Sequence, residues 1–378
     1  MARESAGGTK RPEDLKWLVR YAKSQRTFMG DARVRFGKPF SLRQALADAG
    51  AGRAKLDKVA FRVMDEINAA TPISATSLAG FALLGAADRA YTLAEVEAIL
   101  TPLLDYIDRR GLPGPDPSLC RGLGLRSTLR ELTEAGVLTN FDGGPDPVWS
   151  IAPDNHAVAA YYRNGALHHF VDRAIVELGM LAVVDGALGP ESDALLIHGR
   201  QEALRIRDLL KFEFFFPVKD EFLRRLGTEL DLIAPSWRET TPTTEWVYEV
   251  LHENMGALLA RRTLQPFFDA QLVVARHLVA LGGRTIDKET LLTDCLGLGR
   301  QLALQGVVKS KDSVSKELYS AAYQLAENRG LIGDGTHDDI GAERSAWLDE
   351  VTDMRCRLAR IADIEAEQAR TQRAGTAR

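Results

Sequence analysis

Cysteine is scarce in this chain. The 378 residues hold three, Cys120, Cys295 and Cys356, far apart and without a CxxC pair, which argues against a disulfide framework or a cysteine-rich zinc site and for a reducing compartment. Long apolar runs are missing as well: no window supplies the roughly 18 uncharged apolar residues of a membrane-spanning helix. Residues 1–11 carry Arg3, Glu4, Lys10 and Arg11 around no apolar core and do not read as a secretory signal. The expected location is therefore the cytoplasm, with any membrane contact peripheral, at the inner face of the cell membrane. An excess of charge is lacking too. Lys+Arg 48 against Asp+Glu 52 leaves a net charge of −4, so no global field draws the chain to nucleic acid or to an anionic bilayer. Neither a Gly-x-Ser-x-Gly elbow nor a GxGxxG or GxxxxGK phosphate loop occurs; Gly282-Gly283 and Gly297-Leu298-Gly299 read as turn or packing glycines.

What is present is mostly helix, in a chain whose 45% hydrophobic and 26% charged residues suit a globular protein. Pro12 is placed to open a helix through Trp17, Leu18 and Tyr21, and the alternation Arg33-Val34-Arg35-Phe36-Gly37 predicts a short strand that needs a sheet to join. Ser41 to Gln44 resembles a capping box opening a helix, and another helix is predicted over 55–69. A buried helix of small residues follows over 78–84, and Thr92 caps one whose Leu93, Val96, Ile99, Leu100, Leu103 and Ile107 recur at three and four residues. After a Gly/Pro linker at 111–117, a helix near 126–135, two strands and an Asp142-Gly143 turn outline a winged-helix unit. Further helices are predicted over 155–188 as one long helix or a pair, over 203–226 with a break at Pro217, and over 247–259, 267–281 and 288–304. The expected class is mainly α (α+β), a multi-helical domain with short strands. Its expected divisions are 1–40 as the remnant edge of a missing domain, 41–110 as a helical segment, 118–335 as a helical C-terminal domain with a winged-helix-like part at 118–152, and 338–378 as a charged helical tail whose last residues, from 366, are solvated.

Three local features invite a functional reading. Arg163, His168, His169 and Asp172 fall within about three helical turns. Adjacent histidines point about 100° apart and do not readily share a metal, whereas His168 and Asp172 could form an oriented base; the plainer alternative is one buried, bonded histidine and one solvated. Residues Lys211-Phe212-Glu213-Phe214-Phe215-Phe216-Pro217 pack four aromatics into five positions of a chain with 7% aromatics. They suit either a core segment or, beside Lys211 and Lys219, an acyl groove or a bilayer contact. Arg126, Thr128 and Arg130 would face nucleic acid if the winged helix bound it, but Glu131, Glu134, Asp142 and Asp146 crowd the same surface and would repel phosphate.

Several stretches carry a family resemblance: Gly8-Thr9-Lys10-Arg11-Pro12-Glu13-Asp14-Leu15, Val34-Arg35-Phe36-Gly37-Lys38-Pro39, Ile67-Asn68-Ala69-Ala70-Thr71-Pro72-Ile73-Ser74, Ala82-Leu83-Leu84-Gly85, Tyr161-Tyr162-Arg163-Asn164 and Leu210-Lys211-Phe212-Glu213-Phe214-Phe215-Phe216-Pro217. In that order, up to about residue 330, the chain resembles the C-terminal region of bacterial-type (PlsB-like) glycerol-3-phosphate acyltransferases. The resemblance implies transfer of an acyl chain from coenzyme A or acyl carrier protein to the sn-1 hydroxyl of glycerol 3-phosphate, by a His-x4-Asp motif whose histidine removes the hydroxyl proton. That motif is lacking: five residues after the seven histidines stand Tyr161, Arg173, Ala174, Ala203, Ala257, Gly282 and Ala342. No catalytic, cofactor-binding or metal-binding residue is therefore assigned. The expected partner is the missing acyltransferase domain, in cis or in trans, with a membrane surface second and no nucleic acid; alone the chain is expected to be inactive.

Overall fold

The computed structural model describes residues 34–50, 52, 54–85, 89–186, 192–240, 242–333 and 340–376. Among them run fourteen α-helices and one three-stranded antiparallel sheet, so the expected class, mainly α with short strands, is the class observed. The helix expected near Trp17 lies outside the described residues.

The strand expected at 33–37 is corrected: Arg33 lies outside the described residues, and 34–37 belongs to no ladder. Alternation makes a strand only where a neighbouring backbone completes its hydrogen bonds. Here the segment lies along a helix instead, with Gly37 so near it that a Cβ would meet the Glu66 carbonyl oxygen at 3.1 Å. In α1 (Leu42–Asp48), the Ser41 hydroxyl accepts from the Gln44 N–H, but the reciprocal half of a capping box is absent because Gln44 Nε2 donates to Asp48 at 2.7 Å. Helix α2 (Ala54–Ala70) turns into α3 (Ala75–Leu84), which is buried on nearly every side. Strand β1 (Tyr91–Thr92) leads into α4 (Leu93–Arg109), where Thr92 and Glu95 form the full reciprocal capping box. Helix α5 (Gly122–Glu134) then precedes the hairpin β2 (Leu138–Phe141) and β3 (Val148–Ile151). The sheet order is β1-β3-β2, with Tyr91 opposite Trp149. The winged-helix-like part is thus larger than its hairpin: α3, β1 and α4 complete it, and the ladder through Tyr91 joins 41–110 to 118–152.

Beyond it come α6 (His156–Leu167), α7 (Val171–Asp185), α8 (Ser192–Leu209) and α9 (Lys219–Ile233). The helix expected over 247–259 is corrected. It runs as α10 (Thr244–Glu249), widens into a π-helical turn at Val250–Asn254, and stops before Gly256, whose φ of 65° is left-handed. The chain needs that stop because Leu259 and Ala260 must aim their N–H groups at a buried carboxylate. Helices α11 (Ala260–Leu281), α12 (Lys288–Leu304), α13 (Lys316–Asn328) and α14 (Ile340–Thr376) complete the body.

Helix α11 is the axis. Arg262, Thr263, Asp269 and Gln271 are buried in it among apolar neighbours. At its N-terminus the Glu177 carboxylate accepts from Leu259 N–H at 2.9 Å and from Ala260 N–H at 2.7 Å. At its C-terminus the Arg344 guanidinium donates to the carbonyls of Leu278 and Gly282. A negative group at the start and a positive one at the end match the helix dipole, and at the buried N-terminus Glu177 satisfies amides that water cannot reach. Helix α14 packs into the body over its first two-thirds: Ile340, Arg344, Trp347, Val351, Met354, Leu358 and Ile361 are buried at alternating spacings of three and four. Replacing Leu358 with Ala should cost about 2–5 kcal/mol in urea unfolding, as for a core leucine. A loss within about 0.5 kcal/mol, the size of a surface change, would mean α14 does not pack.

Candidate functional site

The four polar residues around the double histidine separate in the folded chain. The helix breaks at 168–170 between α6 and α7, so His168 and Asp172 do not form a base pair of the expected kind. His168 Nε2 lies 2.7 Å from the Asn68 carbonyl and His169 Nε2 lies 2.9 Å from the Thr71 carbonyl. An imidazole facing a carbonyl must donate, so each ring carries its proton on Nε2. Burial lowers both pKa values, that of His169 to about 4. Both rings are neutral props under the corner between α2 and α3; the solvated partner of the plainer reading does not exist. Arg163 is equally structural, pairing with Asp312 at 2.8 Å with both side chains almost wholly buried.

Asp172 belongs to a different cluster. Burial pushes its carboxyl up to about 6, with Arg225, Glu229, Arg110 and Asp65 as its charged surroundings. Within that cluster Tyr106 donates to Glu229 at 3.2 Å, Arg110 Nε donates to the other Glu229 oxygen at 2.6 Å, and Arg225 pairs with Asp65 at 2.8 Å. The network ties α2, α4, α7 and α9 together. None of Tyr106, Arg110, Arg225 or Glu229 carried a local signal in the sequence, because the Glu229 contacts span 119 to 123 residues.

The aromatic run divides between core and surface. Phe216 is buried and Phe214 packs edge-on against Phe267 at 4.9 Å, while Phe212 and Phe215 remain exposed. Phe215 meets Phe61 of α2 edge-on at 5.3 Å. Between them Glu213 is held in apolar surroundings, and burial pushes its carboxyl up to about 8. On the winged-helix side, Thr128 is buried and donates within the fold, Arg130 pairs with Glu134, and Arg126 is exposed, with no ion pair among the described residues.

One groove stands out. It holds about 410 Å³ between α7, α8, α9 and the segment from Trp237 to Val247. Its walls are apolar, with Val176, Met180, Leu226, Leu230, Trp237 and Trp246 among them. Its charged members, Arg200, Asp220, Arg224 and Arg238, are all exposed to solvent. The Trp237 indole is fixed by donating to Asp231 at 2.7 Å, and the same carboxylate holds Arg238. Such a groove can hold an apolar chain, with Arg200 at its edge beside Arg224 and Arg238, which are already paired with Glu221 and Asp231. Among the described residues its lining contains no His, Cys or Ser, and Asp220 is its one carboxylate.

Residues 1–335 match the profile of the glycerol-3-phosphate acyltransferase C-terminal region. The chain belongs to that family. Among curated proteins, it is 37% identical over 374 residues to relatives in Mycobacterium bovis (strain ATCC BAA-935 / AF2122/97) and in Mycobacterium tuberculosis strains CDC 1551 and H37Rv, whose provisional name is acyltransferase plsB1. The match covers 97% of this chain and 60% of each relative. Three of the stretches that carried the resemblance hold structural contacts: 67–74 receives the two histidines, Arg163 holds Asp312, and the Pro217 carbonyl accepts from Arg207 at 2.9 Å.

Glu213 yields a pH test. Its folded pKa is raised, so from about pH 4.3 upward the unfolded chain releases a proton that the folded chain keeps, and stability falls as pH rises toward 8. The wild type should lose on the order of a few kcal/mol through this group between pH 5 and pH 9, and Glu213→Gln should remove that part of the slope in urea titrations. Parallel slopes for the two proteins would show that Glu213 ionises without penalty.

Proposed function

We propose that this chain is the helical C-terminal part of a glycerol-3-phosphate acyltransferase, and that the acyl transfer itself depends on a histidine–carboxylate pair supplied by another part of the enzyme, in cis or in trans. The reading rests on the family match over residues 1–335. The reaction moves an acyl group from a coenzyme A or acyl carrier protein thioester to the sn-1 hydroxyl of glycerol 3-phosphate. Attack by that hydroxyl needs a base within hydrogen-bonding reach of its proton. None of the seven histidines has an Asp five residues on, and His168 and His169 already donate to main-chain carbonyls. In this reading the body positions the acyl donor, and the groove between α7, α8 and α9 is where its hydrocarbon would lie.

Purified chain incubated with radiolabelled long-chain acyl-coenzyme A and glycerol 3-phosphate should form no lysophosphatidate above the protein-free rate. Product should appear when the remaining portion of a plsB1 relative is co-expressed with it. Turnover by the chain alone contradicts the proposal. The groove is testable separately: an added Cβ at Gly227 would lie 3.5 Å from Arg238 and 3.8 Å from Trp237, so a larger side chain there must occupy the cavity. Gly227→Leu should weaken binding of a fluorescent long-chain acyl-coenzyme A at least about tenfold, a loss of about 1.4 kcal/mol, and equal affinity would place the acyl chain elsewhere.

A further inference from the structure

Helix α2 has two unlike faces. Its inner face is fixed to the body: Phe61 packs on Phe215, Asp65 pairs with Arg225, and the Asn68 carbonyl accepts from His168. Leu56, Ala60, Val63, Met64 and Ile67 fall within an arc of about 100° on the other side, and all five are exposed, Ile67 by 51%. Beside them runs the segment that Gly37 and Phe40 hold against α2, Phe40 through a cation–π contact with Arg62 at 4.3 Å. It leaves Phe36 92% exposed. A contiguous apolar surface on a helix whose other face is clamped marks an interaction site.

We infer that the outer face of α2, with Phe36, is the docking surface for the portion of the longer relatives that this chain does not span; this rests on reading the chain as the C-terminal part of such an enzyme. The matched family is a C-terminal region, and the chain covers 60% of each relative, so the remainder lies on the amino-terminal side. Residues 34–40 and α2 are the described elements nearest to it in sequence apart from the short α1. Charge argues for protein over bilayer: α2 carries Lys55, Lys58 and Arg62 against Asp57, Asp65 and Glu66, a balance without the cationic excess of a helix that lies on anionic lipid.

Maleimide labelling reads this face without needing activity, because Cys356 is exposed and serves as an internal reference while Cys120 and Cys295 are buried. Val63→Cys in the chain alone should label at about the rate of Cys356. With the remaining portion of the Mycobacterium tuberculosis relative fused upstream, its labelling should slow at least tenfold while Cys356 is unchanged. In co-expression, that portion should co-purify with the wild-type chain and be lost on Val63→Asp/Ile67→Asp, whose melting temperature should match the wild type because both positions are exposed. Undiminished labelling in the fusion, or co-purification that survives the double substitution or fails with the wild type, overturns the inference. So does protection of the chain alone that grows with its own concentration, which assigns the face to a second copy, or that needs vesicles of phosphatidylglycerol and phosphatidylethanolamine. A fusion that shows the protection yet transfers no acyl group sinks the functional reading and leaves the docking surface standing.

Discussion

A helix whose first turn is buried cannot leave its opening N–H groups to water, and α11 is such a helix. Its first amides are satisfied by Glu177 and its last carbonyls by Arg344. Those two residues sit on α7 and α14, so the elements flanking the axis are specified by electrostatics as well as by packing. Midway, Asp269 accepts from Lys309 N–H, Ser310 N–H and Arg355 Nε at 2.7–2.8 Å, and Gln271 donates to the Leu209 carbonyl at 2.8 Å. Removing one member of such a set strands a buried charge or dipole, a loss larger than the interaction's net worth.

The same logic runs through the rest of the molecule. Glu177 is itself oriented by Arg173 at 3.3 Å. Arg163 and Asp312 tie α6 to the turn before α13, and Glu229 gathers Tyr106 and Arg110 under α9. Ionisable groups that looked like candidates for chemistry are committed to structure. Among the described residues, two surface features stand apart from these networks: the apolar groove between α7, α8 and α9, and the exposed apolar side of α2.

Local chemistry was legible in the sequence wherever a short stretch decides it. Thr92 with Glu95, the Asp142-Gly143 hairpin and the buried small-residue helix ending at Leu84 were readable because caps, turns and periodicity act within a few residues. The strand at Val34 was misread because alternation says nothing about whether a ladder partner exists. The buried stripe of α14 was diluted by alanines and charges, and Arg344 on that stripe reads as solvated until the carbonyls it meets are known. The groove was invisible for the same reason as the Glu229 cluster. Its walls come from α7, α8 and α9, and nothing in any one of them announces the other two.

Whether the histidines serve structure or chemistry is the decisive question, and imidazole ¹⁵N NMR across a pH titration answers it. If His169 is the prop described above, its ring stays neutral with the proton on Nε2 until the pH nears 4. A ring that titrates near neutrality and shifts when glycerol 3-phosphate is added would show a working base in this chain and contradict the division of labour argued here.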